Sequence, residues 1–494
     1  MKNKFYITTA ILYTNGPPHI GFAMELIQAD VLARYNRLIG NDVWFLTGTD
    51  EHGTTVARAA EKYGKTPIEL ADEMSGLAKD LILKLNITND DFIRTSDQVR
   101  HWPSVIKLWN KLVENGDLYK KEYEGLYCVG HEAFIKKSDL VDDLCPLHKT
   151  VPENIKEENW FFKLTKYKKE IRKRIESDDF KIVPETKSKE LLNLLDDAED
   201  VSFSRPATTL KWGIPVPGDE TQTMYVWADA LTNYISALDY KDEGEKFEKF
   251  WPADVHLVGK DILRFHAMIW PAMLLSLGIE LPKAIYVHGF INVEGQKMSK
   301  TIGNVIDPFG VVAKYGTDVV RYFLLREIPS EEDGDFSYKK LEERYNGDLA
   351  NGLGNLVQRV ATPIETGLDG ELVYKKENLL SGVPEFSKEE FGKHIESFKL
   401  HDALGYIWKC IGDANVLVND RKPWKEVKEN PKEFLKTITT LVKMIHEIVW
   451  MLQPFMPETS QKIAAKFGSD LLNKKVPENY KFIVKKGGGL FPRM

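Results

Sequence analysis

A chain of 494 residues is too long for one ordinary hydrophobic core, so two to four domains are expected. Its 43% hydrophobic and 29% charged residues fit a soluble globular protein, and a formal charge of −7 excludes a basic coat for nucleic acid. Three cysteines exclude a disulfide framework and fit a reduced, cytoplasmic setting. The start MKNKFYITTAIL is too short and polar for a secretory signal, and no apolar run approaches the ~18 residues of a membrane span.

In chain order, FYITTAIL reads as a buried strand, and MELIQADVLARYNRLIG carries apolar residues at helical spacing before ending in glycine. NDVWFLTGTDEHG reads as a second strand running into a polar turn. Strand, helix, parallel strand is a right-handed crossover, and ligands collect at the carboxyl ends of such strands. His19, Gly21 and the turn Asp50-Glu51-His52 all fall there. From about 118 to 220 the texture changes to aromatics, short charged turns and two of the cysteines, which reads as an inserted domain. The α/β pattern returns with TMYVWADALTNY, VHLVGKD and AIYVHGFINVEG and reaches about 325. SEEDGDFS marks a turn-rich linker to about 344. Beyond it nearly everything to 467 is helical, most clearly KEFLKTITTLVKMIHEIVWML, and PETSQKIA starts a helix behind capping residues. The tail KKGGGLFPRM has little to fold with.

Two stretches point to phosphate. In PHIGF, a histidine at a helix start can donate to an anion with help from the helix dipole, and Gly21 removes a Cβ that would block close approach. In KMSKT (297 to 301), two lysines three apart can clamp a polyphosphate. Either alone is also ordinary turn chemistry or a solvated basic turn. Together, in this order, they resemble the His-x-Gly-His and Lys-Met-Ser-Lys-Ser pair of class I aminoacyl-tRNA synthetases. The chain resembles the methionyl-tRNA synthetase family from AILYTNGPPHIGF through GTDEHG, YVWADALTNY, VGKDILRFHAMIWPAML and VHGFINVEGQKMSKT into the helical half. Phe22 is the departure, since the family has a second histidine there.

The resemblance implies an α/β fold: a Rossmann-type catalytic domain (1–117 and 221–325) with an inserted connective-peptide domain (118–220). A stem-contact linker (326–344) and an all-α anticodon-binding bundle (345–494) would follow. It implies methionine activation by Mg-ATP to methionyl-adenylate, then transfer to tRNA. His19, Lys297 and Lys300 would be catalytic, with Gly21, His288 and Gly289 also at the ATP. Ile11, Tyr13, Trp227, Tyr234, Ile262 and His266 would line the methionine pocket, and Asp50 would take the ammonium. Trp227 and Tyr234, seven apart, are expected on one helical face.

Within the insert, Cys128-x-x-His131 and Cys145-x-x-His148 have the spacing of a closed tetrahedral zinc site. Three of the four positions match the family's single knuckle, and His131 stands where cysteine is usual; a vestigial knuckle without metal is the other reading. Cys410 reads as a small buried hydrophobe. Asn351, Asn355 and Arg359 form a polar stripe four apart, the wet face of an amphipathic helix, with Leu349, Leu353, Leu356 and Val360 opposite. In the family the matching residues, with Pro423 and Trp424 here, read the CAU anticodon. The expected partners are L-methionine, ATP and methionine tRNA, without DNA or membrane. A monomer is expected because no dimerising extension follows LFPRM. Competing readings are a class I synthetase for another apolar amino acid, a nucleotidylyltransferase, and a tRNA-binding paralogue whose catalysis has lapsed.

Overall fold

Strands buried on both faces favour parallel pairing, because crossover helices then cover them. Seven strands do so here: β1 (Lys4–Thr9), β2 (Leu12–Tyr13), β3 (Asp42–Asp50), β4 (Asp91–Arg94), β5 (Lys181–Val183), β6 (Val255–Gly259) and β7 (Ala284–His288). Their order is β2-β3-β1-β6-β7-β5, with β4 also on β3, and every pair is parallel. The chain leaves β1 toward β3 on one side and reaches β6 on the other. That reversal opens a crevice at the strands' carboxyl ends. The expected α/β crossover is present, and its helix, α1 (Ile20–Leu38), packs on β1, β3 and β6.

The computed structural model describes residues 3–129, 133–146, 149–298, 303–485 and 487–493, with the backbone alone at 133, 138, 297, 469 and 470. Two compact units divide the chain at Met1–His288 and Gly289–Met494. Inside the first, the stretch from 118 to 220 builds a four-stranded antiparallel sheet around a long pairing of Leu118–Cys128 with Glu153–Phe162. A three-stranded sheet includes Asp219–Met224. One stretch of the insert region behaves differently: β5 extends the main parallel sheet beside β7.

The second unit opens with Ile291–Val293, paired to Gln296–Lys297 and in parallel to Gly334–Phe336. The SEEDGDFS segment, read from sequence as a turn-rich linker, therefore supplies a strand. Gly334 permits it, since a Cβ there would lie 2.6 Å from the Ile328 side chain. After the first unit's short helices α2 (Val226–Ala230) and α3 (Asn233–Ser236), helices α4 (Asn355–Gly367), α5 (Leu400–Arg421), α6 (Pro423–Glu429), α7 (Pro431–Leu452) and α8 (Pro457–Phe467) follow in the second. Their apolar faces are dry: Leu356, Val360, Leu404, Ile438, Leu441 and Ile463 are fully buried. Cys410 lies buried on α5, as expected, and burial pushes its thiol up to about 12.

Two local expectations are corrected. The start of α8 has no side-chain cap from its own flank; instead the Thr459 N–H donates to Asp318 Oδ2 at 2.6 Å. The tail is also held in place. Lys481–Ile483 pairs antiparallel with Glu371–Val373, the Tyr345 hydroxyl donates to the Pro492 carbonyl at 2.7 Å, and Phe491 packs edge-on against Tyr345. Among the described residues, no helix is long and apolar enough to cross a membrane.

Candidate active site

At the start of α1, His19 is the N-cap, and its Nδ1 accepts the Gly21 N–H at 3.1 Å. An accepting Nδ1 carries no proton, so the ring proton sits on Nε2, which is left as the donor. Phe22 is only 6% exposed and belongs to the core side of α1. One turn further along, Glu25 accepts from His288 Nε2 at 3.0 Å, where β7 ends. Burial raises the Glu25 carboxyl, although His288 opposes this. The unassigned Glu25 thus joins His19 and His288 at the crevice.

The candidate amino-acid pocket is an aromatic nest with its polar atoms in defined states. His266 Nδ1 lies 2.9 Å from the Ile262 carbonyl and must donate to it, so Nε2 is a bare acceptor. The Tyr234 hydroxyl donates to that nitrogen at 2.7 Å. Burial lowers His266 to about 4, so the ring is neutral near pH 7. Tyr234 is fixed again from behind: its carbonyl accepts from Tyr6, and its ring stacks on His256 at 4.2 Å. Trp227, partly exposed, stacks flat on Phe265 with centroids 3.9 Å apart and meets His266 edge-on. Ile11, Tyr13 and Ile262 are partly buried against the large core that also holds Tyr234 and Phe265.

His266 lies in a π-helical turn, Phe265–Ile269, and such single turns recur at functional sites. Trp227 and Tyr234 do not share one helix, contrary to expectation. They sit on two short pieces, α2 (Val226–Ala230) and α3 (Asn233–Ser236). The break has a local cause: Thr232 Oγ1 bonds the Ala228 carbonyl at 3.0 Å, and Asn233 Nδ2 bonds that of Ala230 at 2.6 Å. Asp50 ends β3 directly opposite Tyr13 in register, and its carbonyl accepts from the Thr14 N–H at 3.0 Å. At 7% exposure, its carboxylate is a largely desolvated group at the carboxyl edge of the sheet.

In the second unit, Gly289 has a packing reason to lack a side chain, since a Cβ would fall 2.1 Å from the Glu332 carbonyl oxygen. Lys297 lies in the short strand Gln296–Lys297, and Lys300 lies outside the described residues. In the insert, Cys128 and Cys145 are fully buried and in no disulfide, and the Cys145 N–H and carbonyl close a tight turn with Thr150 and Lys149. His131 and His148 lie outside the described residues.

The polar stripe of the helical unit runs across a π-helical segment, Tyr345–Gly354, into α4, with Asn351 and Asn355 exposed. Asn351 Oδ1 accepts from Arg493 of the docked tail at 3.0 Å. Trp424, 42% exposed, stands next to Pro423 at the start of α6. The cation on its ring is Arg359, 4.9 Å from the centroid and held by Asn419 at 2.7 Å. Its sequence neighbour Arg421 is instead paired with Glu426 and Glu433.

A family model described as "tRNA synthetases class I (M)" matches residues 5–149 and 135–361, and one for the anticodon-binding domain of tRNA ligases matches 387–487. A methionine–tRNA ligase of Thermotoga maritima is 44% identical over 93% of this chain and 74% of its own length. One of Brucella suis is 41% identical over 94% and 91%. The solved structure of Mycobacterium tuberculosis methionyl-tRNA synthetase in complex with methionyl-adenylate superposes with a TM-score of 0.91 at 37% identity, covering 100% of both chains. With a parallel-sheet unit that holds a buried aromatic cluster and a helical unit of the anticodon-binding kind, the chain belongs to the methionyl-tRNA synthetase family of class I tRNA synthetases.

Proposed function

We propose that the pocket walled by Trp227, Tyr234 and His266 takes the methionine side chain and that Asp50 takes its ammonium. The enzyme is a methionine–tRNA ligase working through an adenylate. The observation that carries the pocket is the Tyr234–His266 pair, a neutral donor–acceptor couple set among aromatic rings and suited to a polarizable thioether. In the first step the methionine carboxylate attacks the α-phosphorus of ATP and pyrophosphate leaves. In the second, a hydroxyl of the tRNA 3′-terminal adenosine attacks the acyl carbonyl and AMP leaves.

No covalent enzyme intermediate is needed, so positioning and charge stabilisation carry the rate. His19 donates from Nε2 to a phosphate oxygen, and Lys297 and Lys300 are assigned to the leaving pyrophosphate, with His288, Gly21 and Gly289 at the nucleotide. Magnesium neutralises phosphate charge when the nucleotide is bound. Two buried thiols with His131 and His148 are a donor set that fits structural zinc, and metal analysis of protein purified without chelator tests it. Trp424, Arg359, Asn355, Asn351 and Pro423 are proposed to read the CAU anticodon, and the enzyme is proposed to act as a monomer.

The deciding experiment is ATP–pyrophosphate exchange without tRNA against a panel of amino acids. Exchange with methionine alone supports this pocket. Exchange with another apolar amino acid would move the substrate, and none at all would leave a tRNA-binding protein.

A further inference from the structure

Three buried groups beside the pocket have no role in this scheme: His52, His101 and Asp229, each at most 1% exposed. Asp229 Oδ2 lies 2.6 Å from His52 Nδ1, and Oδ1 lies 2.7 Å from His101 Nε2. His101 Nδ1 continues to Ser236 Oγ at 2.7 Å. A carboxylate out of water persists only when fully paired. Burial alone would raise Asp229, but the two histidines outweigh it and keep the carboxyl low.

Each end of this clasp belongs to a different wall of the pocket. His52 follows Asp50 by two residues, Asp229 follows Trp227 by two, and Ser236 follows Tyr234 by two. The Asp50 turn is anchored on its other side as well. Arg94 binds both Glu51 oxygens, at 2.7 and 2.9 Å, and Trp212 Nε1 donates to the Glu51 carbonyl. The His52 ring is boxed edge-on by Trp102 and Trp212.

We infer that Asp229 is a positioning residue that fixes the span between the ammonium end at Asp50 and the thioether wall at Trp227 and Tyr234, and so sets discrimination by side-chain length. The inference rests on the pocket assignment proposed above. A methylene is worth only about 10–200-fold in an apolar pocket, and only where the walls hold their distance. The Asp229 clasp ties the Asp50 and Trp227 walls through buried, charge-assisted bonds to its carboxylate, and it reaches the Tyr234 wall through the His101–Ser236 bond.

The test is Asp229→Asn, which keeps the shape and removes the charge, assayed by pyrophosphate exchange with methionine and with ethionine, one methylene longer. The expected result is a methionine KM up about tenfold, an ATP KM within twofold, and a several-fold loss of preference for methionine over ethionine. Equal rises in both KM values, or an unchanged preference, would overturn it. Should Asp229→Asn not fold, His101→Gln, which leaves the His52 link in place, is judged by the same two readouts. Trp227→Ala separates the two layers of argument. No rise in its methionine KM removes the pocket assignment itself, whereas a rise beside an unaltered Asp229→Asn preference removes only the clasp.

Discussion

The aromatic cluster of the sheet unit and the Trp424 face of the helical unit use aromatic rings in opposite ways. Around Tyr234 and His266 the rings are buried, stacked and hydrogen-bonded into single protonation states, so a small ligand meets fixed walls. At Trp424 the ring is 42% exposed, backed by one guanidinium and open on solvent, as stacking an unpaired base requires. The first arrangement discriminates through distances, the second through a presented plane. Damage to the pocket should therefore appear in amino-acid activation, and damage to the plane only in tRNA charging.

The largest effect is expected at Asp50. Asp50→Asn leaves the ammonium without its counter-charge in a desolvated site, a loss of about 2–5 kcal/mol. kcat/KM for methionine in pyrophosphate exchange should fall on the order of 10²–10³-fold, and a change below about tenfold would dissociate Asp50 from the ammonium. Trp424→Ala comes next. Stacking is worth about 1–3 kcal/mol per base, so charging of methionine tRNA should fall roughly 5–150-fold. Exchange without tRNA should stay within about twofold, and joint loss of both activities would make Trp424 a structural residue and erase the contrast.

A smaller effect follows from pH. His266 titrates at about 4 in the fold against an ordinary value of 6.5, so between the two the unfolded chain binds more protons than the native one. The ring's contribution to stability is thus full above 6.5 and is lost as pH falls toward 4. Protonation also fills the nitrogen that accepts from Tyr234. Methionine affinity should be level from pH 8 to about 6 and weaken only as pH approaches 4. A midpoint near 6.5 in a titration of methionine binding would show the ring to be wet.

How far these regions were legible in the sequence follows the same divide. The crossover, α1 and the apolar stripes were readable because burial imposes periodicity on the chain. The pocket residues were nameable through family motifs, yet their arrangement was not. Side-chain bonds from Thr232 and Asn233 split the Trp227–Tyr234 segment, and nothing in the apolar spacing records them. The π-helical turns at Phe265–Ile269 and Tyr345–Gly354 insert residues without altering composition. The partners Arg359–Trp424 and His52–Asp229 lie 65 and 177 positions apart, as 424 − 359 and 229 − 52. Only a folded chain brings them together. The tail failed for another reason: its apolar residues are few, and its order comes from Tyr345 and the Glu371–Val373 strand.

The smallest effect is expected at Phe22, where the family's second histidine is missing. The aromatic ring is 6% exposed on α1, so an imidazole placed there enters a largely dry environment and needs a partner. Glu25 lies one turn along the same face with Oε1 buried and unpaired among the described residues, and it can accept from such a ring. Phe22→His should therefore fold, with its imidazole drawn toward Glu25. In the proposed scheme the phosphates already have His19 as a donor, because its Nδ1 accepts from Gly21 and its proton sits on Nε2. The exchange rate should consequently change by less than about threefold, against the roughly 10²-fold that a single uncompensated oxyanion donor is worth. A gain of tenfold or more would mean that this site runs short of a donor, and that the sheet unit's fixed geometry is incomplete at its phosphate end.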